Sequence, residues 1–225
     1  MLSSTVTTLQ DNSAHGEDNL LTKDLGNGDF LDVVMDGVTG HGGEQASTEL
    51  AEALNGTEPA NSDEIQTVLE EMNADFYSVG AGRFLLTTVS AVLGRGNQLQ
   101  IVTAGDSPIF LINKDGHQKI SGHAGGFMHV GVARAIGASE QLGQTHRVEV
   151  QPSPGDRLVL ATDGITDNMS IDELAEVVRN AATPEAAAES IESTIHMRLQ
   201  DGYVPETLGV RFRYDDRTCI IRFFE

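Results

Sequence analysis

Residues 84–120 read FLLTTVSAVLGRGNQLQIVTAGDSPIFLINKDGHQKI. This stretch contains three apolar runs rich in β-branched residues, which are typical of strands. Each run is followed by a short polar turn, at 94–97, 105–108 and 114–116. Because connections this short join neighbouring antiparallel strands, the stretch predicts a series of antiparallel hairpins.

The sequence on either side of this stretch predicts further strands and helices. The predicted strands cover 4–9, 30–36, two segments between 146 and 164, and RTCIIRFF at 217–224. The predicted helices cover 44–55, 62–79, about 170–180 and 184–200. Strands and helices are grouped along the chain and do not alternate. This grouping favours an α+β fold with antiparallel sheets over a doubly wound parallel sheet.

The chain carries no internal repeat, low-complexity tract or Pro-rich linker. Its 225 residues are of a size that one domain commonly has, so we expect a single domain over 1–225. The segment 121–145 is rich in glycine and has only patchy helical character. We interpret it as a mobile flap on that domain.

The charge balance is strongly acidic. Asp and Glu number 34 against 14 Lys and Arg, which gives a net charge of −20. Such a chain lacks the basic surface that nucleic acids and anionic membranes require, and it attracts cations instead. It has a single cysteine, and it shows neither a signal-peptide pattern nor an apolar run of the ~20 residues needed to cross a bilayer. We therefore expect a cytoplasmic protein without nucleic-acid or membrane partners.

Several common catalytic patterns are missing from the sequence. It contains no Gly-x-Ser-x-Gly, no Gly-Lys pair of a Walker loop and no His-Glu-x-x-His. Cys219 lies inside an apolar run, which indicates a core residue and not a nucleophile. Chemistry based on a Ser or Cys nucleophile is therefore not predicted.

Aspartates recur at the ends of apolar runs. Those that follow or precede a predicted strand are Asp36, Asp106, Asp163 and Asp215. Carboxylates at strand ends converge at the rim of a sheet, where they repel one another unless a cation neutralises them. Oxygen ligands suit Mg²⁺ or Mn²⁺, including two-metal clusters. Asp115, followed by Gly116, is by contrast predicted to lie in a plain turn.

Five short motifs surround these aspartates in a fixed order along the chain. They are MDGVTGHGGEQAS (35–47), LTTVSAVL (86–93), VTAGDS (102–107), PGDRLVLATDG (154–164) and DDRT (215–218). Together they resemble the motifs of the bacterial type 2C metal-dependent protein phosphatases, which act on phosphoserine and phosphothreonine. The resemblance extends over nearly the whole chain.

The resemblance implies a fold and a metal centre. The fold would be two packed antiparallel sheets flanked by helices, a four-layer αββα sandwich. Two ions of Mn²⁺ or Mg²⁺ would lie at one end, with Asp36 bridging them and the carbonyl of Gly37 binding one. Asp163 and Asp215 would hold the other ion, with Asp216 as the alternative if the alignment slips by one residue.

The same resemblance gives roles to four further residues. Glu17 and Asp18 match an early acidic pair that acts partly through metal-bound water. Asp106 matches the ligand of a third, weaker metal. His41 would assist proton transfer to the leaving group or position the substrate, although a structural loop histidine is the alternative.

One position departs from the family pattern. The family places a phosphate-binding arginine five residues before Asp18, and this chain has Ser13 there. Loss of a bidentate clamp is expected to weaken substrate binding. Lys23, His15 or the metals alone would have to supply the missing positive charge, so the substrate-binding residue stays open.

Three functional hypotheses follow. The first is metal-dependent hydrolysis of phosphoserine and phosphothreonine in proteins by an activated water, opposing a Ser/Thr kinase in signalling. The second is a weak or inactive relative that binds a phosphopeptide or protein partner, which Ser13 motivates. The third is an acidic binding protein outside the family. Metal-dependent hydrolysis of p-nitrophenyl phosphate separates the first from the second.

Overall fold

A computed structural model describes residues 2–121, 135–202 and 213–225. The strands are β1 (Ser4–Asp11), β2 (Asn19–Gly26), β3 (Asp29–Met35), β4 (Val89–Arg95), β5 (Gln98–Ala104), β6 (Ile109–Asn113), β7 (Gly116–Lys119), β8 (His146–Val150), β9 (Arg157–Ala161) and β10 (Arg217–Phe224). The helices are α1 (Gly43–Asn55), α2 (Ser62–Gly80), α3 (Asp163–Thr166), α4 (Ile171–Asn180) and α5 (Pro184–Asp201).

The described strands form two antiparallel sheets of five strands each. Their orders are β1-β10-β9-β6-β7 and β2-β3-β4-β5-β8. Helices α4 and α5 cover the first sheet, and α1 and α2 cover the second. A third apolar cluster fills the space between the sheets. The predicted α+β fold, two packed antiparallel sheets flanked by helices, is confirmed.

Alternation along the central strands explains the four layers. In β3, Val33 and Met35 pack towards α1 and α2, whereas Phe30 and Val34 face the other sheet. Successive side chains of a strand point to opposite faces, so a strand covered on both sides is apolar throughout. This is why every residue of the run at 30–36 except Asp32 and Asp36 is hydrophobic.

A buried ion pair joins the two sheets. Arg222 on β10 donates from Nε and Nη2 to the two carboxylate oxygens of Asp32 on β3, at 2.7 and 2.9 Å. Burial raises the pKa of Asp32, and Arg222 opposes that rise. The guanidinium also stacks over the ring of Phe30, 3.6 Å from its centroid. The fork therefore fixes the register of one sheet against the other.

The hairpin prediction for 84–120 is correct at two of its three turns. β4–β5 and β6–β7 are antiparallel hairpins. The connection at 105–108 is not a hairpin, because β6 pairs with β9 in the other sheet. Gly105 adopts a φ of 117°, and a Cβ there would lie 2.5 Å from the side chain of Thr88. Gly105 thus lets the chain cross from one sheet to the other at this point.

Residues 122–134 of the segment predicted to form a flap, 121–145, lie outside the described residues. Its described part is anchored at Ile136, which is fully buried and exchanges backbone hydrogen bonds with Thr87. In the described part of the chain, no helix is long and apolar enough to span a membrane.

Candidate metal centre

Five aspartates from separate chain segments lie together where several strands end. Asp36 directly follows β3, and Asp163 begins α3 two residues after the end of β9. Burial and surrounding negative charge raise the pKa of Asp36 well above 3.8. The carboxylates responsible are those of Asp163, Asp18, Asp106 and Asp215. The structure thus brings together five of the predicted ligands, and we call these five side chains the acidic cluster.

The Thr-Thr pair of the second motif holds Asp36 in place. The Thr88 N–H donates to the carbonyl of Asp36 at 2.8 Å, and the Asp36 N–H donates to Oγ1 of Thr88 at 3.2 Å. The hydroxyl of Thr87 donates to the same carbonyl at 3.0 Å. Both threonines are buried. The end of β3 is therefore fixed by side-chain as well as backbone hydrogen bonds.

Gly37 lies where three segments touch. Its N–H donates to the carbonyl of Glu17 at 3.2 Å. A Cβ at Gly37 would lie 2.5 Å from the backbone of Gly43, at the start of α1. The absence of a side chain lets the loop before β2, the end of β3 and the first turn of α1 meet beside Asp36.

Asp18 is the more buried residue of the predicted acidic pair Glu17 and Asp18. It is 5% exposed and accepts a hydrogen bond of 2.8 Å from Oγ1 of Thr162. Burial and the negative charges of Asp216 and Asp163 raise its pKa to about 7. The ionised form of Asp18 is therefore disfavoured, and a cation bound nearby would stabilise it.

Asp163 is paired with Arg213, which belongs to none of the five motifs. Burial raises the pKa of Asp163 to about 6 even though the Arg213 guanidinium opposes the rise. Arg213 contacts Asp163 through Nη2, and its Nε lies 3.0 Å from Asp167 and 3.4 Å from Asp215. Arg213 stands two residues before the DDRT motif, and nothing in the sequence distinguishes it from the nearby Arg211.

The structure separates the environments of Asp215 and Asp216. The carboxylate of Asp216 is buried and accepts backbone N–H groups from Ala14, His15 and Glu17 at 2.7–3.0 Å. It serves to hold the loop before β2. Asp215 belongs to the acidic cluster, which supports the choice of Asp215 over Asp216 as the predicted ligand.

Glu17 and His41 lie on loops that adjoin Gly37. Glu17 accepts a hydrogen bond of 2.5 Å from the Thr39 hydroxyl. His41 donates from Nδ1 to the carbonyl of Arg83 at 2.9 Å, so its Nε2 is the unprotonated nitrogen of the neutral ring. The contacts of these two side chains are thus with neighbouring loops, and their predicted roles stay predictions.

The two side chains considered as substitutes for the missing arginine, Lys23 and His15, differ in position. Lys23 donates to the carbonyls of Asn55 and Thr57 at 2.8 and 2.7 Å, which engages it beyond the end of α1. Nε2 of His15 lies 3.8 Å from Asp215, beside the acidic cluster. Ser13 itself is exposed, and its hydroxyl lies 2.9 Å from that of Tyr214.

The chemistry of the acidic cluster fits a divalent cation. Its donor atoms are carboxylate oxygens. Asp36 is surrounded by four other carboxylates that repel it, and a cation would relieve that repulsion. Within residues 2–121, 135–202 and 213–225, no three His, Cys, Asp or Glu side chains already stand as a ready ligand set. The guanidinium of Arg213 provides positive charge there instead. The individual ligand roles therefore stay predictions.

Cys219 is confirmed as a core residue. It is fully buried in β10. Burial raises the pKa of its thiol to about 12, so no reactive thiolate forms at neutral pH.

The sequence as a whole matches one protein family. A sequence model of the family described as Stage II sporulation protein E (SpoIIE) matches residues 27–222, which is most of the chain. No curated protein matches the chain at a significant level.

Several solved structures, two of them described as serine/threonine phosphatases, share the whole fold. The structure described as PppA, a key regulatory component of T6SS in Pseudomonas aeruginosa, has 21% identity and a TM-score of 0.78, covering 99% of this chain and 98% of that one. The catalytic domain of the serine threonine protein phosphatase PstP, in complex with two manganese ions, has 19% identity and a TM-score of 0.77, with coverages of 100% and 99%. Stp1 from Staphylococcus aureus, a serine/threonine phosphatase, has 18% identity and a TM-score of 0.80, with coverages of 100% and 96%.

Proposed function

The chain belongs to the SpoIIE family of type 2C-like phosphatases, and we propose that it is a metal-dependent protein phosphatase acting on phosphoserine and phosphothreonine. The single phosphatase domain would span residues 1–225. Two ions of Mn²⁺ or Mg²⁺ would be its cofactors, with a third, weaker site at Asp106. PstP, which has this fold, binds two manganese ions, and this supports the choice of metal.

One observation carries the proposal. Asp36 is mostly buried among four other carboxylates, and burial together with their negative charge raises its pKa well above the ordinary value. Repulsion among clustered carboxylates destabilises the folded protein unless a bound cation offsets it, and such clusters are typical of functional sites. Asp36, Asp163 and Asp215 are also the residues to which the family resemblance assigns the two principal metals.

The residues of the chain divide the work as follows. Asp36, Asp163 and Asp215 would hold the two principal ions, and Asp18 would act behind them with its carboxylate oriented by Thr162. When bound, the ions activate a water for attack on phosphorus and neutralise the charge on the transferring group. His41 would move a proton at Nε2, since its Nδ1 is engaged with the carbonyl of Arg83.

A phosphorylated protein is the proposed substrate, with a Ser/Thr kinase supplying the phosphate that this enzyme removes. PstP and Stp1 are described as serine/threonine phosphatases, and this supports that substrate class. The expected setting is the cytoplasm, in line with the single, buried cysteine.

The test is hydrolysis by the full chain of p-nitrophenyl phosphate and of a phosphothreonine peptide. We expect turnover of both with Mn²⁺ or Mg²⁺ and none in excess chelator. Full turnover in chelator would remove the proposed metal mechanism. Absence of turnover with every divalent metal tried would remove the proposed enzyme activity.

The second candidate is a weak or inactive relative that binds a phosphopeptide or protein partner. Ser13, exposed beside Tyr214 where the family places a phosphate-binding arginine, is the observation that favours it. PppA, which has this fold, is described as a regulatory component of a larger system. Saturable binding of the phosphothreonine peptide without release of phosphate would favour this candidate.

A further inference from the structure

We propose that Arg213 is a substrate-binding residue that grips the phosphoryl oxygens of the substrate, with Asp167 as the residue that positions it. The proposal rests on the proposed function and adds to it the phosphate-binding cation that Ser13 does not provide. It places that cation on the segment before β10, next to Tyr214, the residue that Ser13 contacts.

The contacts of Arg213 place its guanidinium at the acidic cluster. Nη2 pairs with Asp163, and Nε lies between Asp167 and Asp215 at 3.0 and 3.4 Å. Nη1 takes part in none of these three contacts. When cations occupy Asp163 and Asp215, Asp167 still holds Nε, and the two Nη groups turn to a second acceptor. A planar fork of N–H donors beside the metals is the geometry that binds phosphate bidentately.

Exposure makes the guanidinium available to a ligand. The Arg213 side chain is 53% exposed, whereas those of Asp163 and Asp167 are 29% and 13% exposed. The Arg213 side chain thus lies closer to solvent than the two carboxylates that it pairs with.

The charge of Arg213 is secure. Partial burial acts to lower its pKa, but Asp163, Asp167 and Asp215 raise it overall. An anionic phosphate approaching so many carboxylates requires positive charge on its path. Arg213 supplies a fixed charge there, in addition to the ions.

A cavity of about 320 Å³ begins beside this guanidinium. Asp106 and Asp163 line its acidic side, Phe110 and Ile171 line an apolar side, and Arg213 and Lys119 bring positive charge to it. This volume is in the range of small-ligand sites. It admits a phosphorylated side chain, with its phosphate towards Arg213 and the ions that Asp163 would hold, and its carbon atoms against the apolar wall.

The position of Ser13 agrees with this assignment. Its hydroxyl is 2.9 Å from that of Tyr214, the residue after Arg213. The two chain segments are therefore neighbours at the rim of the acidic cluster. A cation on the second segment reaches the region that an arginine at position 13 would serve.

The test uses the full chain with Arg213→Lys, Arg213→Ala and the control Arg147→Lys. Arg147 is a half-exposed arginine that pairs with Asp63 at 2.5 Å, on β8 and away from the acidic cluster. The first readout is the Kd of inorganic phosphate for the Mg²⁺-loaded protein by calorimetry, which requires no turnover. The second is KM and kcat on a phosphothreonine peptide with Mn²⁺.

We expect Arg213→Lys to raise the Kd of phosphate and the KM of the peptide by about tenfold, because a lysine keeps the charge but loses the fork. Arg213→Ala is expected to raise both further, and Arg147→Lys to leave both unchanged. If both Arg213 variants bind phosphate as tightly as the wild type, or if the wild type binds none, the assignment is wrong.

Failure of the proposed function would look different. A wild-type protein without metal-dependent turnover would overturn the enzyme proposal, and the phosphate titration would still decide the role of Arg213. Weaker phosphate binding by both Arg213 variants would support that role, and equal binding would refute it. The Mn²⁺ affinity of Arg213→Ala tests whether Arg213 only neutralises the acidic cluster. If it does, the variant binds Mn²⁺ more tightly than the wild type while its Kd for phosphate is unchanged. That result would also refute the assignment.

Discussion

Thr162 Oγ1 donates a hydrogen bond of 2.8 Å to Oδ2 of Asp18, a residue 144 positions earlier in the chain. The same hydroxyl oxygen accepts the N–H of Thr218 at 3.0 Å. One fully buried hydroxyl thus links the end of β9, the start of β10 and the loop before β2. These are three of the segments that carry the acidic cluster.

Replacing Thr162 with valine is expected to destabilise the protein. The change keeps the shape but leaves the Thr218 N–H and the Asp18 carboxylate without this partner, at a cost on the order of 1–3 kcal/mol. Urea unfolding of the metal-free protein measures the loss. Thr162→Ser should retain most of the stability, and Thr194→Val on α5 should cost far less, because the Thr194 hydroxyl bonds only to the carbonyl of Ser190 near solvent. Equal losses at positions 162 and 194 would contradict this prediction.

The stability of the metal-free protein should depend on pH in an unusual direction. The pKa values of Asp18 and Asp163 are raised to about 7 and about 6, so the folded state binds more protons than the unfolded chain between about pH 4 and 7. The free energy of unfolding therefore falls as the pH rises through that window. We expect the Tm without metal to drop between about pH 4 and 7 and Asp18→Asn to flatten the drop. A Tm that rises over this range would refute the prediction.

Substitutions in the acidic cluster should separate activity from folding. Asp36→Asn and Asp163→Asn each remove a negative charge and keep the shape, so we expect turnover to fall roughly a hundredfold or more. The metal-free fold should be retained or stabilised, because repulsion within the cluster decreases. Asp115→Asn is the control, since Asp115 lies in the β6–β7 turn, where its N–H bonds to Oδ1 of Asn113 at 2.9 Å. Similar losses of turnover at 115 and 163 would disprove the assignment.

An arginine introduced at Ser13 should compensate for loss of Arg213. Because Ser13 contacts Tyr214, a guanidinium at position 13 reaches the same rim of the acidic cluster. We expect Ser13→Arg to raise kcat/KM about fivefold or more in an Arg213→Ala background. The gain in the wild-type background should be smaller, because Arg213 already fills the role. Steady-state kinetics of the four proteins on one phosphothreonine peptide measure this, and equal gains in the two backgrounds would show that the positions act independently.

Much of the fold follows from local patterns in the sequence. The central strands are largely apolar because helices cover one face of each and the other sheet covers the opposite face; these strands are β3, β4, β9 and β10. Short turns mark the hairpins. The strand at 19–26 was not predicted. It pairs on one side only, so its side chains are half-buried and mixed in polarity, and Gly26, Asn27 and Gly28 in the following turn were the available signal.

The site was predictable only where residues belong to motifs. Asp36, Asp106 and Asp163 follow apolar runs, so their positions at strand ends can be read from the sequence. The pairing of Arg213 with Asp163 joins residues 50 positions apart on segments that meet only in the folded protein. No local pattern encodes it. The crossing at 105–108 was missed for a similar reason, since a short turn between apolar runs does not reveal which sheet its second strand joins.

Release of inorganic phosphate from a phosphothreonine peptide, followed in one sample of the full chain, tests the central claim most directly. The sample is measured first in excess chelator and then after addition of excess Mn²⁺, with Asp36→Asn treated in parallel. We predict no release by the wild type in chelator, rapid release after Mn²⁺, and little release by the variant in either state. Equal rates before and after Mn²⁺, or no release by the wild type in either state, would contradict a metal-dependent phosphatase.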